Sequence, residues 1–402
     1  MSLFALLRRN VGYSIAASAL QLLSTLATVR MAGASAFADL TVDVFKLAVI
    51  TIFLELVPTP YATFRVQRDP DYARQIATFS LVSCLFCLLA WAAVAGAGLF
   101  SNATIWMAPY ALYLGMQRYL DITLQADNRI REYYQMLCVA AALRLLFTVV
   151  GLATIKGHDV AILWGALSLS SILSVMIWFA ARPSEFKPFL RRGHRESLSL
   201  IFAARGAYYA YYLNTGLKRL RDSLLPVAAS FVVAEKVELA RYLLAMRGVE
   251  FVMGQLRLAE ALLANLGNRA AVHHRRGRQL LLLAVLAQAV SFLVCVFLAG
   301  QAGFNVTTLI VSAIASLFAY PYVLEIGYRS DAYAEDAPLR VTISFAAFTA
   351  TLAAALLALS RLDLLVAPGL IAAPVLAQAV ASLTYLASRR MIRGRYPPQA
   401  EQ

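Results

Sequence analysis

Long apolar runs alternate with short polar breaks from one end of this 402-residue chain to the other. A helix needs roughly 20 predominantly apolar residues to cross a bilayer. Twelve runs meet that length, at about 11–32, 40–63, 75–98, 104–126, 134–155, 160–181, 201–231, 238–262, 279–299, 306–327, 340–360 and 364–387. The pattern predicts an all-α polytopic membrane protein. The first run is too long for a cleavable signal peptide, and no small-residue cleavage site leads into a soluble domain. The breaks differ by side. Those at 31–39, 99–103, 156–159, 232–237, 300–305 and 361–363 are short, which favours antiparallel neighbours and leaves no domain on that face.

Composition agrees, with 61% hydrophobic and only 14% charged residues. The net charge of +14 raises nucleic acid as a partner, but its placement points elsewhere. With the amino terminus in the cytoplasm, the cytoplasmic side collects most of the Arg, from Arg8 and Arg9 through Arg129, Arg131, Arg182, Arg191 and Arg192 to Arg393 and Arg395. The opposite side keeps Lys156, Lys236 and Arg361. This asymmetry is the positive-inside signature; it predicts an even number of spans and both termini in the cytoplasm. The basic loops are topology determinants first and binders of acidic lipid headgroups second.

Charges also lie within the spans. Arg30, Lys46, Arg118, Arg144, Arg205, Lys218, Arg219, Arg221, Arg241, Arg247 and Arg257 stand against Asp43, Glu55, Asp121, Asp222, Glu250, Glu260 and Glu325. An ionised side chain at bilayer depth costs about 2.5–3.5 kcal/mol on insertion scales, so such residues find a partner or a water-filled path. Arg118 with Asp121, Arg247 with Glu250 and Arg257 with Glu260 are spaced i, i+3 and are expected to pair. Cations remain in surplus after every acid in this set is matched. The densest group, Lys218-Arg219-Leu220-Arg221-Asp222, lies inside the stretch 203–233. Either that stretch spans the membrane with its cations lining a cavity for an anion, or two short helices flank a charged loop. Just upstream, Tyr208-Tyr209-Ala210-Tyr211-Tyr212 offers rings and hydroxyls for sugar contacts, or an aromatic belt at the interface.

No catalytic constellation accompanies these charges. Cys84, Cys87, Cys138 and Cys295 fall in apolar spans as small buried hydrophobes, and the histidines lie in loops. No zinc spacing, phosphate loop or nucleophile triad is present, so neither metal, cofactor nor enzymatic activity is expected.

The longest basic connector, RPSEFKPFLRRGHRES at 182–197, separates the sixth and seventh spans. The expected organisation is an amino-terminal six-helix lobe at 1–185, a linker at 186–197 and a carboxy-terminal lobe at 198–402. The halves echo each other: Leu120-Asp121-Ile122 precedes Asp127 in the fourth span, and Leu324-Glu325-Ile326 precedes Asp331 in the tenth, at equal spacing. A parallel repeat about an axis normal to the membrane is the expected symmetry.

Twelve spans in six plus six, a basic central connector and a cationic seventh span resemble the Wzx-type flippases of the multidrug/oligosaccharidyl-lipid/polysaccharide (MOP) exporter superfamily. Arg221-Asp222-Ser223-Leu224-Leu225, Phe231, Glu235 and Arg241-Tyr242-Leu243-Leu244 are similar to that family's seventh-to-eighth span pattern, although Pro226 and small apolar residues replace expected glycines. The resemblance implies two lobes around a V-shaped cavity and movement of an undecaprenyl-pyrophosphate-linked oligosaccharide, an O-antigen or other surface-polysaccharide unit, to the outer leaflet of the bacterial inner membrane. The expected partners are that glycan, membrane lipids and other polysaccharide-assembly proteins, around a monomer that binds no nucleic acid. Lys218, Arg219, Arg221, Arg30 and Arg205 are the candidate diphosphate ligands, with Arg247, Tyr208 and Tyr212 beside the substrate. Asp43, Glu55, Asp121 and Glu325 are candidate coupling carboxylates. Two other classes stay open: a multidrug/cation antiporter of the same fold, which wants an acid in the first span where this chain has Arg30, and a membrane-embedded polyprenyl-linked glycosyltransferase or ligase, which wants a large outer loop.

Overall fold

A computed structural model describes residues 3–51, 72–98, 100, 105–126, 129–186, 213, 216–217, 223, 225–233, 235–265, 273–325, 338–362, 364 and 366–393. Among the described residues all regular structure is helical. The chain divides into two compact units, Met1–Val227 and Ala228–Gln402. Beyond Phe186, the linker expected at 186–197 lies outside the described residues.

The first unit contains α1 (Leu3–Thr51), α2 (Tyr72–Gly96), α3 (Met107–Ala126), α4 (Ile130–Thr154) and α5 (Asp159–Ala181). The second contains α6 (Lys236–Asn265), α7 (His273–Ala299), α8 (Val306–Ser316), α9 (Pro338–Arg361) and α10 (Ala367–Arg393). Eight described helices are long and apolar enough to cross a membrane, each matching one or two of the predicted runs. α1 takes in the first run and the described part of the second. The nine-residue loop expected at 31–39 is a single break: helix continues on both sides of Gly33, whose φ of 88° and ψ of 164° belong to a region open essentially only to glycine. Ala, Ser and Phe around it are compatible with helix, so one residue suffices.

The exterior is apolar, unlike that of a water-soluble bundle, and the hydrophobic interior admits many small polar residues. Leu282, Leu286, Leu293 and Phe297 form an exposed stripe along α7, and Leu81, Leu85 and Leu89 do so on α2. Ser80, Ser83, Ser168, Ser170, Ser171, Ser174, Ser291, Ser312, Ser344 and Ser382 are buried. Lipid tails solvate leucine as well as the interior does, so small and polar side chains become the helix-facing residues. Backbones approach closely where they can: a Cβ on Gly115 of α3 would lie 2.6 Å from the Cys84 backbone nitrogen of α2. Cys84 Sγ donates to the Leu112 carbonyl at 3.3 Å on that seam. The same device recurs between α6 and α7, where Cys295 Sγ lies 2.8 Å from the Gly248 Cβ position and donates to the Ala245 carbonyl at 3.1 Å.

Pairings repeat in chain order. In the first unit α2 packs on α3, α4 on α5, and α3 on α5. In the second α7 packs on α8, α9 on α10, and α8 on α10. These are the third to sixth and ninth to twelfth predicted spans, as a parallel repeat requires. The tenth span is interrupted: α8 ends at Ser316, a tightened turn follows, and helix resumes over 319–325. Pro321 explains the break, because it lacks an N–H and its ring crowds the preceding turn. Leu317 and Phe318 donate three residues back, to Ile314 and Ala315.

Candidate functional site

Two buried carboxylates stand at the places the sequence echo marks. In the second unit Glu325, 0% exposed, closes the short helix after the Pro321 break. Gln378 Nε2, on α10, donates to its Oε2 at 2.6 Å. Gln378 is also fully buried and sits one turn beyond Pro374, the proline inside α10. Below it Ser382 donates to the Gln378 carbonyl at 3.0 Å and to the Pro321 carbonyl at 3.5 Å. The two proline-containing helices are thus joined by polar contacts. An amide N–H serves a carboxyl oxygen whether or not the acid carries its proton, so a proton can bind and leave without breaking this contact.

In the first unit Asp121 on α3 is buried between Leu120 and Ile122, both 0% exposed. Tyr133, from α4, donates a hydrogen bond to it, and Tyr113 and Tyr134 lie within electrostatic reach of the same phenol. Tyr113 stacks on Tyr110 at 5.8 Å, and Tyr110 meets the edge of buried Trp164 of α5 at the same distance. Tyr133 is thus the described contact of this acid, and the Tyr113–Tyr110–Trp164 rings link α3 to α5 towards the start of α3.

The other charges resolve into pairs. Asp43, fully buried, meets Lys46 at 3.4 Å one turn along α1. Arg247 pairs with Glu250 at 2.7 Å as spaced, on a partly exposed face. Arg241, 4% exposed, binds Glu238 and donates to the Gly303 carbonyl at 3.1 Å, tying α6 to the turn before α8. Glu238 sits on the first residue of its predicted span and was left out of the acids matched against the cations; including it narrows the cationic surplus. Arg30 is exposed on α1.

Lys218, Arg219, Arg221, Arg205, Tyr208, Tyr212 and Glu55 lie outside the described residues, as do the side chains of Arg118, Arg257 and Glu260. Around them, Leu213, Gly216, Leu217, Ser223 and 225–232 are helical. Sequence reading named both acids but missed Gln378 and Tyr133. A signal for Gln378 existed, since it is the one amide in the apolar stretch 367–388. Tyr133 carried none, lying among tyrosines at a helix start. Among the described residues, no group of three or more His, Cys, Asp or Glu converges as a metal site.

No protein-family model matches the sequence, and no curated protein does. Solved structures do match. An outward-facing multidrug resistance MATE family transporter of the MOP superfamily superposes with a TM-score of 0.66 at 15% identity, covering 98% of this chain and 97% of that one. An inward-facing MATE family transporter of the MOP superfamily gives 0.63 at 15% identity, over 95% and 96%. The eukaryotic MATE transporter AtDTX14 gives 0.64 at 13% identity, over 98% of both chains. The chain is a multi-pass membrane protein. Its fold is that of the MATE transporters, the two-lobe, twelve-helix class expected from the run count.

Proposed function

We propose that this protein is a flippase for a polyprenyl-diphosphate-linked oligosaccharide, working by alternating access in the inner membrane with both termini cytoplasmic. The observation that carries this reading is the cationic excess within the spans, concentrated in Lys218-Arg219-Leu220-Arg221. A diphosphate wants arginine forks and lysine point charges, whereas a cation-exporting cavity wants acids. On a helix Lys218 and Arg221 share a face at i, i+3, and Arg219 faces Asp222. Lys218 and Arg221 are therefore the proposed diphosphate ligands, with Arg219, Arg205 and Arg30 contributing field and Tyr208 and Tyr212 contacting sugar; Arg247 is held in its pair with Glu250.

Within this reading Glu325 is the proposed coupling carboxylate, because it is fully buried at the end of the short helix that follows the interruption and takes a hydrogen bond from a second proline-containing helix. Interrupted helices are where transporters place ion-binding groups. Asp121 is its counterpart in the first unit; Asp43 is held by Lys46, and Glu55 takes third place on sequence alone.

Transport decides the matter. The full chain in proteoliposomes should translocate a fluorescent polyprenyl-diphosphate oligosaccharide, and a double Lys218→Ala, Arg221→Ala variant should lose at least about tenfold in rate, the scale of one charge-assisted hydrogen bond. Efflux of lipophilic cations without movement of the diphosphate lipid would replace the flippase by a multidrug antiporter. A specific observation keeps that second reading alive: the solved proteins of this fold cited above are MATE transporters, and two of the three are multidrug resistance transporters.

A further inference from the structure

A second polar cluster lies away from both carboxylates, where α4 begins and α5 ends. These helices are consecutive spans, Arg131–Thr154 and Asp159–Ala181, packed together across a short turn at 155–158, so Arg129 and Arg182 emerge on the same membrane face. Arg129 donates to Glu132 Oε2 through Nε at 3.0 Å and Nη2 at 2.6 Å. Arg182 Nε reaches the same oxygen at 3.1 Å. Both guanidiniums also lie on the Trp178 ring, with Cζ 5.7 Å and 5.8 Å from its centroid. Trp178 is buried and braced edge-on by Phe179 at 5.1 Å.

Three features make this more than a clamp between helices. Cations converge: two guanidiniums meet on one oxygen of Glu132, and Arg131, two residues from Arg129, is held against Tyr13 at 5.2 Å. Orientation is already fixed, since stacking on an indole restrains each fork and reduces the entropy lost on binding an anion. Position matches a ligand, because the cluster stands at the two span ends, where phospholipid headgroups lie and where tryptophan and arginine anchor a protein. The Arg182 side chain is 35% exposed, and its described contacts are made through Nε and the guanidinium plane.

We propose that Arg129 and Arg182, stacked on Trp178, form a binding site for the phosphodiester of an anionic phospholipid, with Glu132 occupying one phosphate-oxygen position when no lipid is bound. The acid is then a competitor as well as a brace. Removing it should strengthen lipid binding, an effect that a purely structural ion-pair network does not produce.

The experiment uses the full chain, purified in detergent, with thermal unfolding followed during titration of phosphatidylglycerol, phosphatidylcholine or inorganic phosphate. Phosphatidylglycerol should raise the midpoint saturably, and the other two should not. Arg182→Gln should weaken the apparent affinity about tenfold, the scale of one charge-assisted hydrogen bond. Glu132→Gln should tighten it about two- to fivefold, in keeping with the modest strength of partly exposed ion pairs. Arg395→Gln, which removes another basic charge from the same predicted face, should leave it unchanged. If Arg182→Gln fails to accumulate, Arg182→Lys keeps the charge but loses the fork, and should give an intermediate affinity. Equal shifts with phosphatidylcholine, equal protection by inorganic phosphate, or no tightening in Glu132→Gln would each overturn the proposal.

Discussion

The Glu325–Gln378 contact can be tested without knowing the cargo. Replacing Gln378 by Leu keeps volume and removes the amide that Glu325 receives at 2.6 Å. In a water-soluble core a hydrogen bond to a charged group contributes about 1.5–3 kcal/mol. Between membrane helices the measured average is nearer 0.6 kcal/mol, with a maximum of about 1.7, because side chains find other partners when helices separate in lipid. Glu325 and Gln378 are both fully buried, and the contact at 2.6 Å bridges two proline-containing helices. The coupling should fall near the upper end, about 1–1.7 kcal/mol. A double-mutant cycle over Gln378→Leu and Glu325→Leu, read by reversible unfolding in mixed micelles, isolates it. Single losses whose sum exceeds the double-mutant loss by that amount would confirm the pair. A coupling below about 0.3 kcal/mol, within the scatter of independent sites, would refute the argument.

Glycine contacts give a sharper contrast. Gly115→Ala sets a Cβ against the Cys84 backbone, which cannot yield without moving α2, and should cost about 1–3 kcal/mol; Gly254→Ala meets open space and should be neutral or stabilising by up to about 1 kcal/mol, both read by unfolding in micelles. Arg241→Met removes the Glu238 pair and the donor to Gly303, and should lower stability by about 1–3 kcal/mol while raising protease cutting in the turn 300–305; unchanged cutting would mean the turn holds itself through its Asn305–Thr308 capping box. Swapping Arg247 and Glu250 should leave transport and stability within about 0.5 kcal/mol, since a partly exposed i, i+3 pair tolerates reversal; lost transport at normal expression would give Arg247 a role beyond pairing.

Run length and loop charge made the class and the helix positions legible, because a bilayer imposes a length on every span and a sign on every loop. The boundary errors have local causes. Gly33 looked like part of a loop because small residues surround it, yet helix runs up to it on both sides. Pro321 and Pro374 were visible, but whether a membrane proline ends a helix or bends it depends on neighbours that re-satisfy the backbone. At the site, Asp121 and Glu325 could be named because an acid in an apolar run is anomalous by itself. Their partners could not, since Tyr133 lies 12 and Gln378 53 positions from the acid it contacts, at separations no periodicity fixes. Asp43 shows the converse: its Lys46 partner lay one turn away and could have been read from the i, i+3 rule.

The repeat retains the acid and changes what surrounds it. Asp121 and Glu325 occupy matching places in helices with matching neighbours, α3 against α5 and the tenth span against α10. Glu325 takes its described hydrogen bond from α10, the matching neighbour, whereas Asp121 takes one from α4. Were these acids only remnants of duplication, replacing either with a hydrophobe would remove the cost of burying a carboxyl, which interiors bear only when the group is hydrogen-bonded. Instead each half keeps a carboxyl and has built a separate polar setting for it, with phenols in one and an amide with a serine beside two prolines in the other. The settings also differ in what can move. The first acid takes its described hydrogen bond from a phenol of α4, and the second stands between two proline-containing helices, one of them interrupted. A protonation change has its largest mechanical consequence where backbone hydrogen bonds are already missing, which is the reason Glu325, one turn beyond Pro321, is the acid we propose for coupling ahead of Asp121.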